Sequence, residues 1–171
     1  RLGIAGGISI LGTSGMVRPW STEAFLRSVE AHLSVVRANG QRSVVLVPGH
    51  MGGKAASRIL PGLECVEVGN AWGEVVDRIR RFGFREVVAL GHSGKLAKIA
   101  QGQWDTHSSQ GSSAADWATR FLRRAMPSWG NALAERHEAS ETMEGRLTSM
   151  DPEARRSAAS LLASRVARRI A

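Results

Sequence analysis

The residues able to do chemistry in this 171-residue chain gather in two short stretches. Gly91-His92-Ser93-Gly94-Lys95 sets an imidazole, a hydroxyl and a primary amine between glycines that let a ligand approach the backbone. Asp105-Thr106-His107-Ser108, inside the polar run 101–110, brings a carboxylate and a second imidazole together with hydroxyls. An imidazole near its ordinary pKa of about 6.5 exchanges a proton at neutral pH. Backbone N–H groups at strand ends and helix N-termini favour an anion, which also suits Thr13 and Ser14 of Gly12-Thr13-Ser14-Gly15. The combination predicts anion binding beside proton transfer.

Several sharper chemistries are excluded by spacing. Gly49-His50-Met51-Gly52-Gly53-Lys54-Ala55 falls one residue short of a phosphate loop, and Ala55 stands where a hydroxyl must hold magnesium. Neither Gly12-Thr13-Ser14-Gly15 nor Gly91-His92-Ser93-Gly94 has the residue between Ser and the second Gly that a nucleophile elbow requires. No G-x-G-x-x-G occurs and no acidic residue ends the second predicted strand, which disfavours a dinucleotide site. His50, His92 and His107 show no tight helical spacing, so no protein metal site is expected.

The elements that must position these residues alternate. Four apolar, β-branched runs each break at a glycine loop and lead into a helical pattern: 2–11 into Gly12, 43–47 into Gly49, 65–68 into Gly69, and 86–90 into Gly91. Such alternation predicts an α/β domain, a parallel sheet of about four to five strands with helices on both faces. Ligands of these sheets bind outside the carboxyl ends of the strands, so the glycine loops are expected along one edge. Helices are predicted over 22–38 with Ser21 as N-cap, over 54–60, from Trp72 to Gly83, and over 94–100. Beyond residue 112 the chain turns to alanine, arginine and glutamate. Three helices are read there, near 113–126, 131–145 and 152–170, the last opened by Asp151-Pro152-Glu153. The organisation expected is an α/β domain over 1–111 with a helical C-terminal region over 112–171 packed on it.

Composition narrows the partners. The formal charge is +8, and 20 of the 23 basic residues are arginine. Arginine's planar fork pairs with phosphate or carboxylate, yet the ten arginines from Arg120 to Arg169 are matched by seven acids and read first as a solvated helical surface. Aromatic residues do not interleave with them and tyrosine is absent, so the stacking platform of a single-strand nucleic-acid binder is missing. No apolar run approaches the roughly 18 residues of a membrane span. The lone Cys65 sits in a strand pattern and points to a small core residue and a reducing, cytoplasmic setting. Arg1 stands first in place of a methionine, so a targeting segment ahead of it would be unread.

Two blocks carry a family resemblance. Gly6-Gly7-Ile8-Ser9-Ile10-Leu11-Gly12-Thr13-Ser14-Gly15, with Val17-Arg18-Pro19 after it, resembles the CbiD family, and so does Gly91-His92-Ser93-Gly94-Lys95-Leu96-Ala97-Lys98-Ile99-Ala100 followed by Gly102 and Asp105-Thr106-His107-Ser108. The family comprises cobalt-precorrin-5B (C-1)-methyltransferases of anaerobic cobalamin synthesis, and the resemblance covers residues 3–109. It implies methyl transfer from S-adenosylmethionine to a carbon of a tetrapyrrole that brings its own cobalt. Family members are roughly twice as long, so the chain is expected to correspond to their C-terminal half, with the N-terminal portion missing. Homo-oligomerisation is left open. Read together with the loops, the resemblance makes Gly12, Thr13, Ser14, Gly15, Gly49 and Gly91 the expected cofactor-binding residues. Lys95, Thr106 and Ser108 are expected on the substrate. His107 is the expected general base, with His92 as its rival and Asp105 orienting the imidazole that acts. The alternative reading is a non-catalytic α/β module for a phosphorylated or carboxylated small molecule.

Overall fold

A computed structural model describes residues 21–107, 114–127 and 142–171. Among these residues three strands form one parallel sheet in the order β2-β1-β3, from β1 (Ser43–Val47), β2 (Cys65–Glu67) and β3 (Glu86–Ala89). Val45 stands beside Cys65 on one flank and Val88 on the other. The first predicted strand, over 2–11, lies outside the described residues, as do Gly12, Thr13, Ser14, Gly15 and Ser108.

Alternation along β1 sorts the core onto two faces. Val44 and Leu46 point into a cluster with Leu26, Val29, Leu33 and Val36 of α1 (Thr22–Ala38) and Trp72, Val75 and Ile79 of α3 (Trp72–Ile79). Val45 and Val47 face the other way, onto Ala56 of α2 (His50–Ile59) and the half-buried Leu60, Val88 and Leu90. The last four residues of β1, Val44 to Val47, are fully buried, which explains why the strand reads as a continuous apolar run: both of its faces are covered. Ser21 caps α1 by accepting from the backbone N–H of Ala24 at 3.2 Å, and Asn39-Gly40 ends the helix, with Gly40 at a φ of +79°.

The boundaries agree with the sequence reading except at two helices. α2 begins at His50, four residues before the predicted start. Its glycines look like a loop in sequence, but Gly53 N–H bonds to the Gly49 carbonyl at 3.0 Å as the first helical turn. A Cβ on Gly52 would come within 3.1 Å of Val47 and Pro48, so glycine there lets this turn lie against the strand it leaves. The helix predicted over 131–145 falls mostly outside the described residues. Its described end is a separate helix, α6 (Met143–Thr148), which Thr142 starts from an extended conformation by accepting from Gly145 N–H.

Three further helices frame the site: α4 (Ser93–Gln101), α5 (Ala114–Ala125) and α7 (Pro152–Ile170). Together with α6 they form a second core. Ala97 of α4 packs there with Ala115, Ala118 and Leu122 of α5, Met143 of α6, and Ala154, Ala158 and Leu162 of α7. The alanine content of the C-terminal region thereby gains a reason, because small residues let the helices approach α4 closely. Arg146 is 7% exposed within this core and donates to Thr119 Oγ1 at 3.0 Å and Asp116 Oδ1 at 2.8 Å. Asp151 caps α7, accepting from Glu153 and Ala154 N–H groups at 3.0 Å each.

Candidate functional site

Because the strands are parallel, the loops after β1, β2 and β3 leave the same edge of the sheet, bringing Gly49, Gly69 and Gly91 there. The first and last of these loops touch. A Cβ on Gly91 would lie 3.0 Å from Pro48 Cδ, so glycine lets the β3 loop close tightly on the β1 loop. Between them opens a cleft of about 840 Å³. Its walls are Pro48, Gly49, Ala55, Ile59 and Leu90 on the apolar side, and Gly91, His92, Ser93, Lys95 and Glu144 on the polar side. His50 and Met51 also line it, and Met51 is 77% exposed although large and apolar.

Two polar clusters flank the start of α4. In the first, Asn70 Oδ1 accepts from Lys95 Nζ and, at 3.1 Å, from Thr106 Oγ1. Thr106 is 2% exposed, and its backbone N–H donates to the Asn70 carbonyl at 3.2 Å. Beside it Ala71 and Asp105 form an antiparallel bridge, so the stretch after α4 is pinned to the loop after β2. Burial, and then the nearby charge of Lys98, hold the Lys95 amine below the usual lysine range, and Asp105 opposes them.

In the second cluster, Glu144 reaches from α6 to the loop after β3. Its Oε2 accepts from Ser93 Oγ at 3.1 Å and meets His92 Nε2 at the same distance. His92 Nδ1 accepts from Gly94 N–H at 3.4 Å, so the side chain also caps α4. With Nδ1 as acceptor, the ring proton belongs on Nε2, facing the carboxylate. Both side chains remain more than half exposed.

The two stretches singled out in sequence are therefore neighbours, joined through α4, but they do not meet the cleft equally. Gly49, Gly91, His92 and Lys95 line it. Thr106 and Asp105 stand behind Lys95, and the lining of this cleft does not include His107. The carbonyl of His107 accepts from Lys98 Nζ at 2.6 Å, while its N–H donates to Asp105 Oδ1 at 2.9 Å. Sequence reasoning missed Asn70 and Glu144. Asn70 was within reach, since it follows the third glycine of the repeat. Glu144 gave no signal, being 51 residues from the serine that it meets.

No family model matches the chain, and no solved structure matches it. Curated proteins do. The chain is 47% identical over 128 residues to the cobalt-precorrin-5B C(1)-methyltransferase of Syntrophotalea carbinolica, covering 71% of this chain and 37% of that protein. It is 44% identical over 110 residues to the protein of the same name from Methanocaldococcus jannaschii, covering 63% and 30%. A Thermoanaerobacter protein with that name is 47% identical over 111 residues, at the same coverage. The match thus spans about a third of the length of these relatives.

Proposed function

From the chain's kinship with the CbiD family of cobalt-precorrin-5B C(1)-methyltransferases, we propose that it forms part of an enzyme that C-methylates a cobalt-bearing tetrapyrrole with S-adenosylmethionine. The observation that carries the reading is the cleft at the carboxyl edge of the sheet, where an apolar wall faces Lys95, His92 and Glu144. The residues suit both ligands. A tetrapyrrole precursor is a broad apolar ring edged with acetate and propionate arms. Pro48, Ala55, Ile59 and Leu90 offer it an apolar surface, and the Lys95 ammonium offers a carboxylate partner. Glycine backbone at 49 and 91 admits a close approach, and the Glu144 carboxylate complements the positive charge of a sulfonium donor.

When bound, S-adenosylmethionine supplies an electrophilic methyl. The protein's part is to orient the two ligands, keep bulk water from the apolar wall and receive a proton. In the balanced reaction the methyl–sulfur bond breaks, a carbon–carbon bond forms, the thioether leaves and the substrate gives up one proton. We assign that proton to His92 Nδ1, which must give up its 3.4 Å hydrogen bond from Gly94 N–H to receive it, because the ring lines the cleft and Glu144 would stabilise the imidazolium. His107, the base expected from the sequence, becomes the rival in this reading, and Asp105, bonded to the His107 backbone N–H, shapes the loop that carries it. Thr106 acts behind Lys95 in this reading, and Gly12, Thr13, Ser14, Gly15 and Ser108 retain the ligand-binding roles that the resemblance implies.

The share of the relatives that is matched, 30% to 37%, supports reading the chain as the C-terminal part of a longer enzyme. Calorimetry of the chain with S-adenosylmethionine and a cobalt-corrin precursor, set against a nucleotide panel, tests the function. Saturable binding of the first two is the expected result. Binding confined to a nucleotide would overturn the reading in favour of a non-catalytic module.

A further inference from the structure

Asn70 is placed at a junction of three chain segments. It follows Gly69, whose φ is +58°, on the loop after β2. Its side-chain oxygen faces Lys95 from the first turn of α4 and Thr106 from the stretch after that helix. Both neighbours are donors, so the amide must present its oxygen and not its NH2 to them. The Thr106 hydroxyl and the Thr106 backbone N–H bind the side chain and the backbone of Asn70 respectively, which fixes the oxygen before Lys95 reaches it.

The site of Lys95 is otherwise unfriendly to an ammonium. It lies in the first turn of α4, where the helix dipole opposes positive charge. The charged and titratable groups around it are Lys98 of α4 and His92 at its N-cap, Asp105 and His107 from the following stretch, and Glu144 from α6. The nearest acceptor is the neutral Asn70 rather than any of these carboxylates. A carboxylate in its place would cancel the charge, whereas an amide oxygen directs the ammonium without neutralising it.

We propose that Asn70 is the positioning residue that holds the Lys95 ammonium at the cleft wall with its positive charge left available to an anionic ligand. The identity of that ligand as a tetrapyrrole carboxylate rests on the function proposed above, but the hold of Asn70 on Lys95 does not. Losing the acceptor disfavours the charged amine, and supplying a carboxylate favours it. Lys95 should therefore titrate lower in Asn70→Ala and higher, by about one pH unit or more, in Asn70→Asp.

Competitive acetylation with acetic anhydride across pH, read at Lys95 by peptide mass spectrometry, measures this directly. Thr106→Val serves as the control for a merely structural brace. It should lower the melting temperature and, because the Thr106 backbone N–H still holds the Asn70 carbonyl, move the Lys95 midpoint clearly less than Asn70→Ala does. Opposite shifts in the two Asn70 variants are the expected result. A Lys95 midpoint unmoved in both, or moved as far by Thr106→Val, would overturn the proposal. Adding cobyrinic acid, a corrin polycarboxylate, separates the two claims. It should protect Lys95 from acetylation in the unaltered protein, about tenfold less in Asn70→Asp. Absence of protection would sink the substrate reading while the titration still judges Asn70.

Discussion

The two polar clusters at the start of α4 differ in how firmly they are built. The Asn70–Lys95–Thr106 cluster is backed by a buried threonine, by a backbone hydrogen bond and by the Ala71–Asp105 bridge. The His92–Ser93–Glu144 cluster is exposed, and its carboxylate arrives from a six-residue helix that belongs to a different core. One side of the cleft is fixed by the α/β sheet, and the other is only as well placed as the C-terminal helices that carry Glu144. The difference suits a division of labour in which the rigid side anchors an anionic arm and the solvated side exchanges a proton.

That contrast can be broken at several points. The largest effect on stability is expected from Arg146→Ala, which removes the buried guanidinium tying α6 to α5. It should cost about 2 kcal/mol, since a buried donor network is lost while Asp116 can still be solvated. Denaturant unfolding would read the loss, and an unchanged midpoint would mean that α6 is held by apolar contacts alone. Next comes His92→Asn in the complete enzyme. The methylation rate should fall at least tenfold, about 1.4 kcal/mol of barrier, with His107→Asn changing it less; the reverse order would move the base to His107.

Smaller consequences sharpen the rigid side. Thr106→Val keeps the shape and deletes a hydroxyl, and should lower stability by about 1 kcal/mol. The smallest effect concerns pH. The Lys95 amine is held below its ordinary value by burial and by Lys98. Between that lowered value and the ordinary lysine pKa of about 10.4, the unfolded chain binds more protons than the folded one. Stability from this group therefore rises with pH through that window, and below it the charged, half-buried amine detracts from folding. Lys95→Met should flatten the rise, which unfolding curves at about pH 8 and pH 10.5 would show.

Most of the scaffold could be read before the structure. β1, with both faces covered, announces itself as Val-Val-Leu-Val, and the caps at Ser21 and Asp151 set helix starts to the residue. The glycine loops after β1 and β3 gave the location of the cleft because parallel connectivity sends both strands to the same edge. Two kinds of feature were hidden. Gly52 sits in a helix for a reason that depends on Val47 and Pro48 packing against it, which no local pattern encodes. Glu144 meets Ser93 and His92 only through the docking of α6 on α4, so its part in the site is a tertiary fact. Asn70 lies between these cases: its place beside a glycine was legible, its grip on Lys95 was not.

The central claim is that Lys95 presents a positive charge to the ligand at this edge of the sheet. Lys95→Met in the complete enzyme tests it most directly, with KM for the cobalt-corrin precursor and the melting temperature measured on the same preparation. The account predicts a KM raised about tenfold or more, equivalent to about 1.4 kcal/mol of binding, and a melting temperature nearly unchanged. An unaltered KM, or a loss of binding that merely follows a collapse in stability, would contradict it.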